Sequence, residues 1–133
     1  MTKEYFLPIR VYVEDTDAGG IVYYANYLKY LERARSELMR TLGYDKPALF
    51  DGMQFVVHSV ELKYRVPAVL DDQIIATARL VGVTRTSFTI AQTVKRDEQI
   101  LVEGTVRAAC IDHDSKRPVA IPEDMMQTLK SAL

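Results

Sequence analysis

In mid-chain the hydrophobic periodicity changes from a helical repeat to a strand repeat, and that change fixes the class of fold. Over residues 23–42 the apolar side chains Tyr27, Leu31, Ala34, Leu38 and Leu42 recur at spacings of three and four, while Lys29, Glu32, Arg33, Glu37 and Arg40 fall mostly elsewhere. The spacing predicts one amphipathic helix closed by Gly43, a residue that accepts a left-handed cap. From residue 59 the period becomes two: Val60, Leu62, Tyr64 and Val66 alternate with Ser59, Glu61, Lys63 and Arg65. Residues 67–72 read as a turn, and 74–83, 86–96 and 101–111 as three further strands. Short polar turns at Thr84-Arg85 and Asp97-Glu98-Gln99 make these strands antiparallel neighbours. A strand over 7–13 precedes the helix, a connection over 44–52 follows it, and Met125, Met126, Leu129 and Leu133 mark a short closing helix. The layout is α+β, one long helix wrapped by a five-stranded antiparallel sheet. Such a sheet leaves strand edges and an apolar flank that natural proteins rarely leave bare, so a homodimer or homotetramer is expected.

A length of 133 residues suits a single domain over 1–133. With 17 basic and 18 acidic side chains there is no field to hold a polyanionic backbone, which argues against nucleic acid as a partner. Cys110 is the single cysteine, so no internal disulfide forms, and its alternation with Ala108 and Val106 suits a core residue. No apolar run approaches the roughly 18 residues of a membrane span, and the N-terminus lacks the pattern of a signal peptide. A cytoplasmic location is expected. No His-rich or Cys-rich metal pattern exists, and His58 and His113 read as structural or surface groups.

Between the first strand and the helix lies Glu14-Asp15-Thr16-Asp17-Ala18-Gly19-Gly20-Ile21-Val22-Tyr23-Tyr24-Ala25-Asn26-Tyr27. The first turn of a helix offers unpaired N–H groups and a partial positive charge, which bind a carboxylate or polarise a carbonyl oxygen. Gly19 and Gly20 let the backbone come close to a ligand. Taken alone, an acidic loop in this position is more often a solvated turn than an active site.

The stretch resembles the 4-hydroxybenzoyl-CoA thioesterase family of hotdog proteins, most closely its Tol-Pal-associated acyl-CoA thioesterase branch. The likeness rests on residues 14–23, continues through Tyr27 and Glu32-Arg33-Ala34-Arg35, and resumes at Phe55-Val56-Val57, Tyr64, Pro67 and Leu70-Asp71-Asp72. It implies a hotdog fold that hydrolyses an acyl-CoA thioester without cofactor or metal. It also implies that Asp17 acts as nucleophile or general base while the backbone N–H of Tyr24 polarises the thioester carbonyl. A carboxylate is a ready anion at neutral pH but a weak base, which favours direct attack through a mixed anhydride. The branch often carries histidine where this chain has Tyr24, so a side-chain acid or base is missing there while a backbone role survives. Gly20, Val22 and Tyr23 flank the site as substrate-binding candidates. Arg85 and Ser87, with Thr86 between them, sit at a turn that in the family's layout approaches the CoA phosphates. Tyr23, Tyr27 and Tyr30 wall an acyl pocket or fill the core. The resemblance further suggests a link to envelope or phospholipid metabolism, with an acyl carrier protein as a partner.

Two other functions compete. A non-catalytic hotdog protein binding acyl-CoA or an acyl carrier protein would share the fold without turnover. Asp15-Thr16-Asp17 after an apolar strand also fits a Mg²⁺-dependent phosphatase loop, but that fold needs alternating strands and helices, against four consecutive strands here.

Overall fold

The structure is a computed structural model that describes residues 3–44, 49–50 and 52–133. Period-two alternation builds its first strand, β1 (Glu4–Arg10), in which Tyr5, Leu7 and Ile9 turn toward the core and Glu4, Phe6, Pro8 and Arg10 toward solvent. The strand lies three residues earlier than the expected 7–13. Val11 leaves the ladder to exchange hydrogen bonds with a distant turn, its N–H donating to Asp72 (2.9 Å) and its carbonyl accepting from Asp71 (3.0 Å). Val13, 74% exposed, then opens a 3₁₀ turn, so its β-forming character is overridden by that tertiary pairing.

The long helix, α1 (Tyr27–Thr41), buries Tyr27, Tyr30, Leu31, Ala34, Leu38 and Met39 along one face. It starts four residues later than the apolar spacing predicts. Tyr23 is extended (φ −59°, ψ 128°) and Tyr24–Asn26 form a 3₁₀ turn that feeds the helix. Gly43 (φ +102°) ends it as expected, with the N–H of Gly43 on the Arg40 carbonyl and that of Tyr44 on the Met39 carbonyl, both at 3.0 Å.

Beyond the helix come β2 (Leu49–Phe50), β3 (Met53–Tyr64), β4 (Gln73–Val83), β5 (Ser87–Arg96) and β6 (Gln99–Asp112). The sheet order is β1-β4-β5-β6-β3-β2, every neighbour antiparallel, so five long strands and a two-residue edge strand enfold one helix. This is the hotdog arrangement that the resemblance implies. The last three strands fall within two residues of their expected bounds, whereas β3 begins six residues before residue 59. The pairing steps from Val57↔Ala108 to Ser59↔Arg107, leaving His58 as an extra, bulged residue. The bulge resets which side chains face inward, and a regular alternation is legible only after it.

α1 packs on β4, β1 and β5, where Ile74, Ala76, Ala78, Leu80, Ile90 and Val94 are buried. The two alanines under the helix let it lie close to the sheet, and each large apolar side chain buried here contributes about 1.5–3 kcal/mol. Cys110 belongs to this core, and burial pushes its thiol up, away from reactivity. The closing helix, α2 (Glu123–Ser131), buries Met125 and Leu129 and packs on β4. A side chain on Gly104 of β6 would collide with the carbonyl oxygen of Glu61 on β3, so only glycine fits where these strands meet. No helix among the described residues is long and apolar enough to cross a membrane.

Candidate active site

Thr16 and Val22 form an antiparallel bridge that closes the acidic segment into a tight loop. Within it the Asp17 N–H donates to the Ile21 carbonyl (2.9 Å) and the Gly20 N–H to the Asp17 carbonyl (3.1 Å). Gly20 adopts φ +79°, a left-handed value that glycine takes without strain. The exposed Asp17 carboxylate folds back so that Oδ1 accepts from the Gly19 N–H at 2.8 Å. Its Oδ2 has no partner among the described residues.

The neighbouring Asp15 is spent differently. Its Oδ2 accepts from the Tyr12 N–H and its Oδ1 from Asn26 Nδ2, both at 2.8 Å, while its carbonyl accepts from the Tyr23 N–H at 3.0 Å. One carboxylate therefore ties the loop to the helix start, and the other is left free. Tyr30 packs behind this knot with its buried hydroxyl beside Asp15 and Asn26, and burial together with the Asp15 charge pushes the phenol up.

The loop is also stitched to residues 68–72. Val22 N–H donates to the Ala68 carbonyl (2.9 Å), Leu70 N–H to the Gly20 carbonyl (3.2 Å), and Ala68 N–H to the Tyr27 hydroxyl (3.0 Å). Asp72 holds that turn in place: its Oδ2 accepts from the Val69 N–H at 2.9 Å and from Arg96 Nη1 at 2.6 Å. The sequence reading of Asp71-Asp72 as a turn holds, with Asp71 at φ +70°.

At the helix start the Tyr23 and Asn26 amides are occupied, the latter donating to the Tyr23 carbonyl at 2.8 Å. The Tyr24 N–H has no partner among the described residues, as the open end of a helical turn dictates. Tyr24 is 63% exposed; its ring leans on those of Tyr23 (4.9 Å) and Tyr64 (6.3 Å), and the Tyr64 hydroxyl donates to its carbonyl at 3.2 Å. Because Thr16 pairs with Val22, Asp17 stands opposite Ile21, three residues ahead of Tyr24. An unpaired carboxylate oxygen and an unpaired amide thus share one braced loop.

A pocket of about 170 Å³ opens beside Tyr24 between Ile21, Tyr27, Tyr64 and Val66. A second, of about 160 Å³, lies farther along α1 and is lined mainly by Phe55, Val57, Phe88, Ile90, Val106 and Ala108. Of the other sequence candidates, Val22 is 2% exposed with its N–H taken by the Ala68 carbonyl, so it braces the loop, while Tyr23 is half exposed. Tyr27 and Tyr30 are core residues. Arg85 is exposed at the β4–β5 turn. Ser87 is buried, its Oγ within 2.7 Å of Thr84 Oγ1 and accepting from Arg107 Nε at 3.2 Å, so its hydroxyl shapes that turn from inside. The resemblance placed Ser87 at the turn and gave no sign of that burial. The described residues hold no cluster of three or more potential metal ligands.

The pattern of the Thioesterase-like superfamily matches residues 11–129. The chain belongs to that superfamily. Among its members, the "Acyl-CoA thioesterase YbgC" of Haemophilus influenzae is 40% identical over 120 residues, covering 89% of this chain and 88% of the relative. The "Acyl-CoA thioester hydrolase YbgC" of Escherichia coli O157:H7 is 36% identical over 125 residues, covering 92% and 93%. A solved structure, the "Probable Thioesterase" of Bartonella henselae, superposes with a TM-score of 0.79 at 33% identity, covering 90% of this chain and 98% of that one. The thioesterase-like fold is therefore shared over nearly the whole length.

Proposed function

We propose that this protein is a cytoplasmic acyl-CoA thioesterase built as a single domain. The observation that carries the reading is that a free Asp17 Oδ2 and an unpaired Tyr24 N–H stand on one braced loop. The names of the relatives, which act on acyl-CoA thioesters, support it. Asp17 attacks the thioester carbon while the Tyr24 amide holds the oxygen that gains charge. The carbon–sulfur bond breaks, CoA leaves as thiolate and takes a proton from water, and the hydroxide so formed opens the anhydride to free acid and the Asp17 carboxylate. The exposed Arg85 suits the CoA phosphates.

The active unit is a dimer paired along β3. Among the described residues β2 covers only Met53 and Gln54, so from Phe55 to Tyr64 that strand presents an open edge. Val57, Val60 and Tyr64 are 50%, 39% and 47% exposed along it, more apolar surface than a solvent-facing edge tolerates. Antiparallel pairing of β3 with its copy sets the Tyr64 end, which touches Tyr24, beside the partner's Phe55 end, which lines the 160 Å³ pocket. Each catalytic loop then feeds an acyl group into the other subunit's pocket. Sedimentation is expected to give twice the 15.1 kDa chain mass or a multiple of it; a monomer at working concentration removes this arrangement.

Thiol release from short, long and aromatic acyl-CoA esters, without added metal and beside acyl carrier protein thioesters, tests the activity. Turnover of at least one thioester is the expected result. Saturable binding without turnover would make the protein a binding module, and a requirement for Mg²⁺ would contradict the proposed chemistry.

A further inference from the structure

Arg35 lies on the inward side of α1, partly buried, and no carboxylate among the described residues comes within ion-pair distance of it. Its Nη1 donates to Gln92 Oε1 at 3.0 Å. Gln92, 2% exposed, is locked in turn, its Nε2 donating to the carbonyls of Leu31 (3.0 Å) and Thr77 (3.1 Å). One hydrogen bond to a fixed amide thus anchors the guanidinium. A guanidinium carries five N–H donors, and Gln92 takes one. Burial lowers the pKa of Arg35, with Glu32 one turn away acting in the opposite sense, and the group keeps its charge.

Arg35 also lines the apolar pocket between α1 and the strands β3, β5 and β6. Glu32 and Ser36 stand with it on the helix side, while Phe55, Phe88, Ile90 and Val106 form the opposite walls. Phe55 and Phe88 meet edge to face at 4.8 Å. At about 160 Å³ the space is close to that of cavities that hold one benzene, enough for an apolar body of about six carbon atoms. A cation with spare donors in such a space is costly unless an acceptor reaches it.

We propose that Arg35 is a specificity-determining residue, and that the pocket selects acyl groups of about six carbon atoms whose far end carries a hydrogen-bond-accepting oxygen, a carboxylate in the strongest case. The assignment rests on the thioesterase reading above. A methyl-ended chain fills the same volume but leaves the guanidinium donors unmet, which is where the discrimination arises.

The experiment compares three esters of equal length, hexanoyl-CoA, 6-hydroxyhexanoyl-CoA and the CoA monoester of adipic acid, by kcat/KM and by calorimetric Kd. At least one oxygen-ended ester is expected to exceed hexanoyl-CoA by about 10- to 100-fold in both quantities. The carboxylate and hydroxyl arms show which acceptor is preferred. Arg35→Met, which keeps an apolar stem, is expected to erase the preference, read as the ratio of kcat/KM between oxygen-ended and methyl-ended esters, and Arg35→Lys to restore part of it. Preference for hexanoyl-CoA, or a preference unchanged in Arg35→Met, overturns the assignment. Should no ester be hydrolysed, the thioesterase reading fails and the three Kd values still decide the role of Arg35. Should Arg35→Met not fold, the parent's preference and the Arg35→Lys values decide it.

Discussion

Asp17→Asn is expected to lower kcat/KM for acyl-CoA hydrolysis by about 100-fold or more, a loss of about 2.7 kcal/mol or above in transition-state stabilisation. The melting temperature is expected to stay within about 2 °C of the parent, as for an exposed substitution that disturbs no packing. The prediction separates chemistry from structure because the structural duty of this side chain is a single bond, Oδ1 accepting from the Gly19 N–H at 2.8 Å. The amide oxygen of asparagine accepts that bond equally well, so the loop survives and the anion alone is lost. Asp15→Asn is the useful contrast, since both Asp15 oxygens hold the loop to Tyr12 and Asn26 and the change disturbs the scaffold rather than the attacking group. Parent-like turnover in Asp17→Asn would place the chemistry on another residue.

That division of labour between the two carboxylates shows where the sequence stops informing. Glu14, Asp15 and Asp17 are alike in type and lie within four residues, and the resemblance alone singled out Asp17. Their environments differ through bonds to Tyr12, Asn26 and Gly19, which depend on how the chain folds back at Gly20. Local periodicity did recover β4, β5 and β6, because each alternates cleanly and is joined to its neighbour by a short turn. It misplaced β1 and the start of β3 for physical reasons: Val11 is claimed by a turn sixty residues away, and the bulge at His58 interrupts the alternation. The Arg35–Gln92 bond, across 57 residues of sequence, leaves no local trace, since Gln92 reads as an ordinary polar residue in a strand whose inward face it in fact occupies. The exposed valines of β3 look like a half-buried strand in sequence and like an unfinished interface in the fold.

The second large effect is expected from Tyr24→Pro, which deletes one hydrogen-bond donor along with the Tyr24 ring and leaves the rest of the loop in place. Proline is ordinarily disruptive, but this position is built to accept it. Tyr24 is the first residue of the 3₁₀ turn, where an N–H has no intrahelical partner, and Tyr23 before it sits at φ −59°, ψ 128°, in the extended region that a following proline favours. The Tyr24 carbonyl, which accepts from the Tyr64 hydroxyl at 3.2 Å, is retained. A fall in kcat of about 100- to 1,000-fold is expected, the usual effect of removing one preorganised oxyanion donor. Tyr24→Phe keeps both ring and amide and is expected to match the parent, while Tyr24→Ala, which loses the ring contacts with Tyr23 and Tyr64, is expected to stay within about tenfold. The three variants together divide backbone from side chain: a Tyr24→Phe enzyme as weak as Tyr24→Pro would put the phenol in the mechanism, and an active Tyr24→Pro enzyme would remove the amide from it. The expected order, with proline alone failing, is what a chain that lacks the branch's frequent histidine at this position requires if its amide is to polarise the thioester unaided.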